Sequence, residues 1–151
     1  MTTPAPPPGG QAVPSRGDGP PNPPEPPSDG PAGRSLVVKV TAGKDDPERC
    51  NQALTVAAAA AASGVPVSLW LTGEASWFSL PGRGADVALP HGMPMADLLA
   101  AVLRAGTVTV CTQCAARRAI NEDDVLAGVR IAGATTFLAE ILADGAQALV
   151  Y

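Results

Sequence analysis

Between Ser35 and Tyr151, short β-branched runs alternate with stretches of helical period, and few architectures accept that alternation. SLVVKVT (35–41) reads as a buried strand, being short, apolar and β-branched. AGKDDPER then turns into a helix. Asp45 and Asp46 are N-cap candidates, Pro47 suits the first turn, and Glu48 favours the positive helix end. The helix runs to Ser63, and Gly64 stops it. Its six consecutive alanines, 57–62, permit close backbone approach to a sheet or to a second helix. VPVSLWLTG (65–73) is a second strand ending in Thr72 and Gly73. EASWFSLPGRGAD is expected to be a loop with one helical turn carrying Trp77 and Phe78, and ADVALP (85–90) a short strand. Pro94 opens a helix with Leu98, Leu99, Val102 and Leu103 on one side, closed by Gly106. TVTV (107–110) is the next strand. Asn121 caps EDDVLAG, GATTFLAEILAD is a further helix stopped by Gly145, and AQALVY is a last strand. The fold class expected is α/β: a three-layer α/β/α domain with a mostly parallel sheet of about five strands. In such sheets reactive groups gather at the carboxyl ends of the strands. Three loops leave strand ends there: TAGKDD, TGEASWF and CTQCAARR.

Residues 1–34 break this pattern. They hold 12 of the 17 prolines and almost no large apolar side chain. Such a segment cannot bury enough surface to offset the entropy of ordering it, so it is expected to be a disordered, locally polyproline-like tail. It has neither a basic start nor an apolar core of the signal-peptide kind. The domain is therefore expected at 35–151, close to the commonest domain size. Within it, eight Lys and Arg stand against eleven Asp and Glu. No basic face suggests nucleic acid, and no apolar run reaches membrane-span length. Three cysteines without an export signal argue against a disulfide framework and for the cytoplasm.

The chemistry concentrates in TVTVCTQCAARRAI (107–120). Cys111 stands just past a strand, with Cys114 three residues on and Arg117 and Arg118 following. A thiol reacts as its thiolate, which a helix start or nearby arginines favour. The spacing also allows a reversible disulfide. Two plainer readings stand beside it: cysteines that only fill the core, and half of a zinc site. Zinc needs four ligands, and only Cys50 and His91 remain, both distant in sequence, so no metal is expected. Cys50, in the first turn of the first helix, is expected to be buried packing. His91, the only histidine, has no partner in sequence and is expected in a turn or exposed. Trp77 and Phe78 either wall a small apolar pocket or subunit contact, or simply anchor their loop. TAGKDDP lacks the spacing of a nucleotide phosphate loop, and GRGADVALP lacks that of a dinucleotide fingerprint.

The order and spacing of three segments resemble the DsrE/DsrF-like superfamily, with its sulfur-relay members of the DsrE and TusD type. They are VVKVTAGKDDPERCNQALTVAAAAAASGVPVSLWLTGEA, MADLLAAVLRAGTVTVCTQCAARRAI and NEDDVLAGVRIAGATTFLAEILADGAQALVY. In TusD-like members a cysteine after the central strand carries a persulfide, followed at six and seven positions by two arginines and then by glycine. Cys111, Arg117 and Arg118 match those places, while Ala119 stands where the pattern has glycine. The resemblance implies a cytoplasmic sulfur carrier or sulfurtransferase without a cofactor. Cys111 would be the nucleophile and carrier, Cys114 a resolving thiol, and Arg117 and Arg118 anion stabilisers. Thr72 and Gly73 would shape the pocket. It also implies a sulfur donor or acceptor protein as partner and a homo-oligomer, trimer or hexamer. The competing expectation is a non-catalytic small-molecule-binding or assembly module whose cysteines sense redox state or fill space. A thioredoxin-like oxidoreductase is disfavoured, because no late proline follows the CxxC; the last is Pro94.

Overall fold

The computed structural model describes residues 1–3 and 33–151, so most of the Pro-rich segment, and the expectation placed on it, lies outside the described residues. Five strands form one sheet: β1 (Ser35–Val40), β2 (Val67–Leu71), β3 (Thr107–Cys111), β4 (Val129–Ala132) and β5 (Ala146–Val150). Their order is β4-β3-β2-β1-β5, and every neighbouring pair is parallel. All five carboxyl ends therefore share one edge, where Cys111 closes β3. One row of the register runs Lys39, Trp70, Thr109, Arg130 across β1, β2, β3 and β4.

Helices α1 (Pro47–Ala62), α2 (Met95–Ala105), α3 (Thr112–Arg117) and α4 (Ala134–Ile141) connect the strands. The start of α1 is set by Asp46, whose carboxylate accepts from Arg49 N–H at 3.2 Å, with Pro47 at the first helical position. The alanine run packs both ways: Ala57, Ala58 and Ala61 are buried in the core that α1 shares with α2 and the sheet. Leu98, Leu99 and Val102 of α2 meet Val38, Val40, Leu69, Leu71, Val108 and Val110 there. Each fully buried side chain of this kind contributes about 1.5–3 kcal/mol.

Side chains alternate across a strand, so Ser68, Trp70 and Thr109 point to the opposite face. There α4 covers them. Trp70 meets Phe137 edge-on, with centroids 5.2 Å apart. Glu140 ties the layer down: one carboxylate oxygen accepts from Ser68 Oγ at 2.6 Å and from Trp70 Nε1 at 2.7 Å, and the other pairs with Arg130. Arg130 in turn donates to Thr109 Oγ1 at 2.8 Å. This layer is thin. Leu138 of α4, Leu142 just past its end, and Val150 on the edge strand β5 remain exposed.

Two expectations along the chain need correction. Residues 85–90 form no strand; a short 3-10 helix (Arg83–Asp86) occupies the start of that stretch, where Asp86 pairs with Arg83 and Lys44. The missing strand is VRIA, β4, a four-residue edge too short to show a period. Nor is EDDVLAG a helix: it runs as consecutive turns, with Asp124 accepting from both the backbone and the side-chain amide of Asn121.

Burial pushes the Glu140 carboxyl up, but the Ser68, Trp70 and Arg130 donors outweigh it, and the group sits below its ordinary value of 4.5. Its stabilisation is thus complete above that ordinary value and is lost as pH falls through the lowered one. Glu140→Ala should destabilise the fold by about 1–3 kcal/mol at neutral pH, because it strands buried donors. Scanning calorimetry should show the gap to wild type narrowing as pH falls below the ordinary carboxyl value.

Candidate functional site

The site assembles from three strand ends. β1 continues into Thr41–Gly43, and β2 into Thr72 and a 3-10 helix (Gly73–Ser79). Thr72 is buried, and its Oγ1 donates to Val40 O at 2.9 Å, fastening β2 to β1. Gly73 has φ +52, and a Cβ there would lie 2.6 Å from Thr41 O. Only glycine fits, and this close approach lets Gly73 N–H donate to Cys114 Sγ at 3.2 Å. The Thr-Gly turn thus meets the cysteine loop through Gly73.

Cys111 ends β3 and caps α3, so the helix starts at Thr112, earlier than AARRAI. Cys111 is half-buried, and Cys114 is buried one turn on. Burial pushes the Cys111 thiol up. Hydrogen bonding from Cys114, both backbone and thiol, and from the Gln113 amide outweighs it, with the Lys39 charge adding, and the thiol sits below its ordinary value of 9.0. Cys50 is the opposite case: burial, then Asp45 and Asp46, push it up to about 12, so it is inert packing.

The two arginines serve different ends. Arg118 binds Glu74 at 2.7 Å and donates to Cys114 O at 3.3 Å, with its guanidinium over the Trp77 ring. It thus clamps the Gly73–Glu74 turn against α3. Arg117 is exposed. A charge that helps to lower the Cys111 thiol, after the hydrogen bonds, is that of Lys39 of β1. Sequence reasoning passed over Lys39, yet its position in SLVVKVT, the one charge in an apolar strand, was the available signal.

Other candidates sit elsewhere. His91 is exposed with φ +62, in a groove of about 520 Å³ beside Asn51, Thr55 and Tyr151 that neither Cys111 nor Cys114 lines. Phe78 is buried and walls an apolar cavity of about 280 Å³ with Leu99, Leu103 and Leu126. Trp77 lies under Arg83 as well as Arg118. Among the described residues, no three His, Cys, Asp or Glu side chains gather to hold a metal ion.

The cysteine loop closes in a left-handed turn. Ile120 N–H donates to Ala115 O at 3.0 Å and Ala119 N–H to Ala116 O at 3.2 Å, the pair of bonds that ends a helix through a left-handed residue. Ile120 packs back into the core beside Ala115. The left-handed residue is Ala119, at φ +52.

The DsrE/DsrF-like family model matches residues 34–151. Among solved structures the chain is similar to the ychN protein from E. coli, at TM-score 0.66 and 18% identity, covering 78% of this chain and 99% of that one. It is also similar to MTH1491 of Methanobacterium thermoautotrophicum, a protein of unknown function, at TM-score 0.58 and 12% identity over the same shares. At such identities the likeness concerns the fold. No curated protein matches the chain.

An alanine in the left-handed region costs about 1–2 kcal/mol. Ala119→Gly removes that strain and adds unfolded-state entropy of about 0.4–1 kcal/mol, so the net should be a gain. The thermal midpoint should rise by about 2–5 °C. An unchanged or lower midpoint would contradict the strain.

Proposed function

We propose that this chain, which belongs to the DsrE/DsrF-like family, is a cytoplasmic sulfur carrier that accepts sulfane sulfur on Cys111 and passes it on. The observation that carries this reading is a half-buried thiol at a strand's carboxyl end, held toward its thiolate, with a second thiol one turn away. In the accepting step the Cys111 thiolate attacks the outer sulfur of a donor persulfide. A new S–S bond forms, the donor's S–S bond breaks, and the donor leaves as its thiolate. Attack by an acceptor thiolate on the outer sulfur reverses the chemistry and returns Cys111 as thiolate. Cys114 supplies a second exit: its thiolate attacks the inner sulfur, forms the Cys111–Cys114 disulfide and releases hydrosulfide.

Gly73 and Arg118 support Cys114 in this scheme, the first through its N–H on the sulfur and the second by holding the turn that presents it. Arg117, exposed at the end of α3, is available to an incoming anionic donor or acceptor. The assembly reading keeps one specific support, the exposed apolar side chains of Leu138, Leu142 and Val150 on the α4 side. It is compatible with carriage, since a homo-oligomer built on that surface would leave the Gly73–Cys114 side of the carboxyl edge to its partners. Sedimentation equilibrium of Leu142→Glu beside wild type tests it, a wild-type monomer counting against it.

Intact-mass spectrometry after exposure to a persulfide donor tests the carrier. Wild type should gain about 32 Da per transferred sulfur, and Cys111→Ser should gain none. In Cys114→Ser the added sulfur should persist longest, because its internal exit is gone. Full uptake by Cys111→Ser would sink the reading.

A further inference from the structure

The α4 side of the sheet carries a charge arrangement that neither the family pattern nor the cysteine spacing suggests. Thr109 points to that face, since Arg130 reaches it there and is itself tied to Glu140 of α4. Cys111 lies two residues further along β3, so its side chain leaves the strand on the same face. Lys39 shares the register row of Trp70 and Thr109, and its ammonium rests 4.9 Å from the centroid of the Phe137 ring, so it too points under α4. Lys39 and Cys111 therefore occupy one face, two strands apart, close to the carboxyl edge.

The other charges on this face are already matched. Arg130 and Glu140 form an ion pair, and Glu140 also accepts from Ser68 and Trp70. Tyr151, which follows Lys39's pairing partner Val150, packs on the α1 side. Arg118 is bound to Glu74. Among the described residues Lys39 forms no ion pair. An aromatic face attracts a cation without neutralising it, so Phe137 holds the ammonium in place while leaving its charge available.

We propose that Lys39, held by Phe137 under α4, is the counter-cation of the sulfur anion at Cys111 and governs how readily that sulfur exchanges. It is a charge-stabilising, positioning residue. The part concerning exchange rests on the carrier reading; the charge pairing stands without it. The lowered thiol of Cys111, to which Lys39 contributes, agrees with the geometry. A persulfide is anionic near neutral pH, so the same charge would hold the loaded form.

The test is peptide-resolved alkylation by iodoacetamide across pH, on wild type, Lys39→Met and Lys39→Arg, with a thermal melt of each. Lys39→Met keeps most of the aliphatic stem and loses the charge. It should slow Cys111 alkylation at neutral pH by about three- to tenfold and move the profile to higher pH. Lys39→Arg should restore the wild-type profile, which repair of packing alone would not predict. An unshifted profile in Lys39→Met, or an equal shift in both variants, overturns the proposal. Should Lys39→Met fail to fold, wild type is read at rising salt. Screening should slow Cys111 alkylation as ionic strength approaches about 1 M, and a flat response overturns the proposal. Alkylation reports the thiolate and the mass gain reports sulfur uptake. A Cys111 that responds to Lys39 yet takes up no sulfur would end the carrier reading and leave the charge pairing standing.

Discussion

Parallel pairing of β3 between β2 and β4 is the constraint from which the rest follows. It places Val108 and Val110 in the core on one face and Thr109 under α4 on the other. The strand can then end in only one way: Cys111 leaves the hydrogen-bonded ladder beside Ala132, on the face of Thr109, and the chain turns at once into α3. No loop intervenes to let the thiol wander. Because all strands run the same way, the turns after β1 and β2 arrive at the same edge, and Gly73 reaches Cys114 only because of this.

The two faces of the sheet do different work. The α1–α2 side is a closed apolar core in which cysteine, as Cys50, is only packing. The α4 side is thin and polar, held by the Glu140 cluster and the Trp70–Phe137 contact. It is also the side on which Cys111 emerges. A thin layer leaves a thiol half-exposed, and hydrogen bonds from Cys114 and Gln113, with the Lys39 charge adding, lower its pKa. The lowered thiol of Cys111 and the raised thiol of Cys50 thus come from the same fold, and each follows from what surrounds the sulfur.

Much of this was legible in the sequence. The β-branched runs at 35–41, 65–73 and 107–110, the caps at Asp46 and Gly64, and the Thr-Gly turn carry local signals that tertiary structure did not override. Residues 85–90 misled because an apolar run resembles a strand whether or not a neighbour is there to pair with it. β4 was missed for the converse reason: four residues containing an arginine become a strand only through β3. The site divides along the same line. Cys111 and Cys114 are neighbours in sequence and were visible. Lys39 is 72 residues from Cys111 and was not, because register across two strands brings them to one face. Arg118 was noticed for its spacing, but its partner Glu74 is another long-range neighbour.

In the proposed function this fold presents Cys111 as the sulfur acceptor. The most direct measurement is the electron density at Cys111 in crystals of the Cys114→Ser protein treated with a persulfide donor. One further sulfur bonded to Cys111 Sγ at about 2.05 Å, on the α4 side of the sheet, is the expected result. An unmodified Cys111 beside fully reacted donor, or the added sulfur on Cys50, would contradict it.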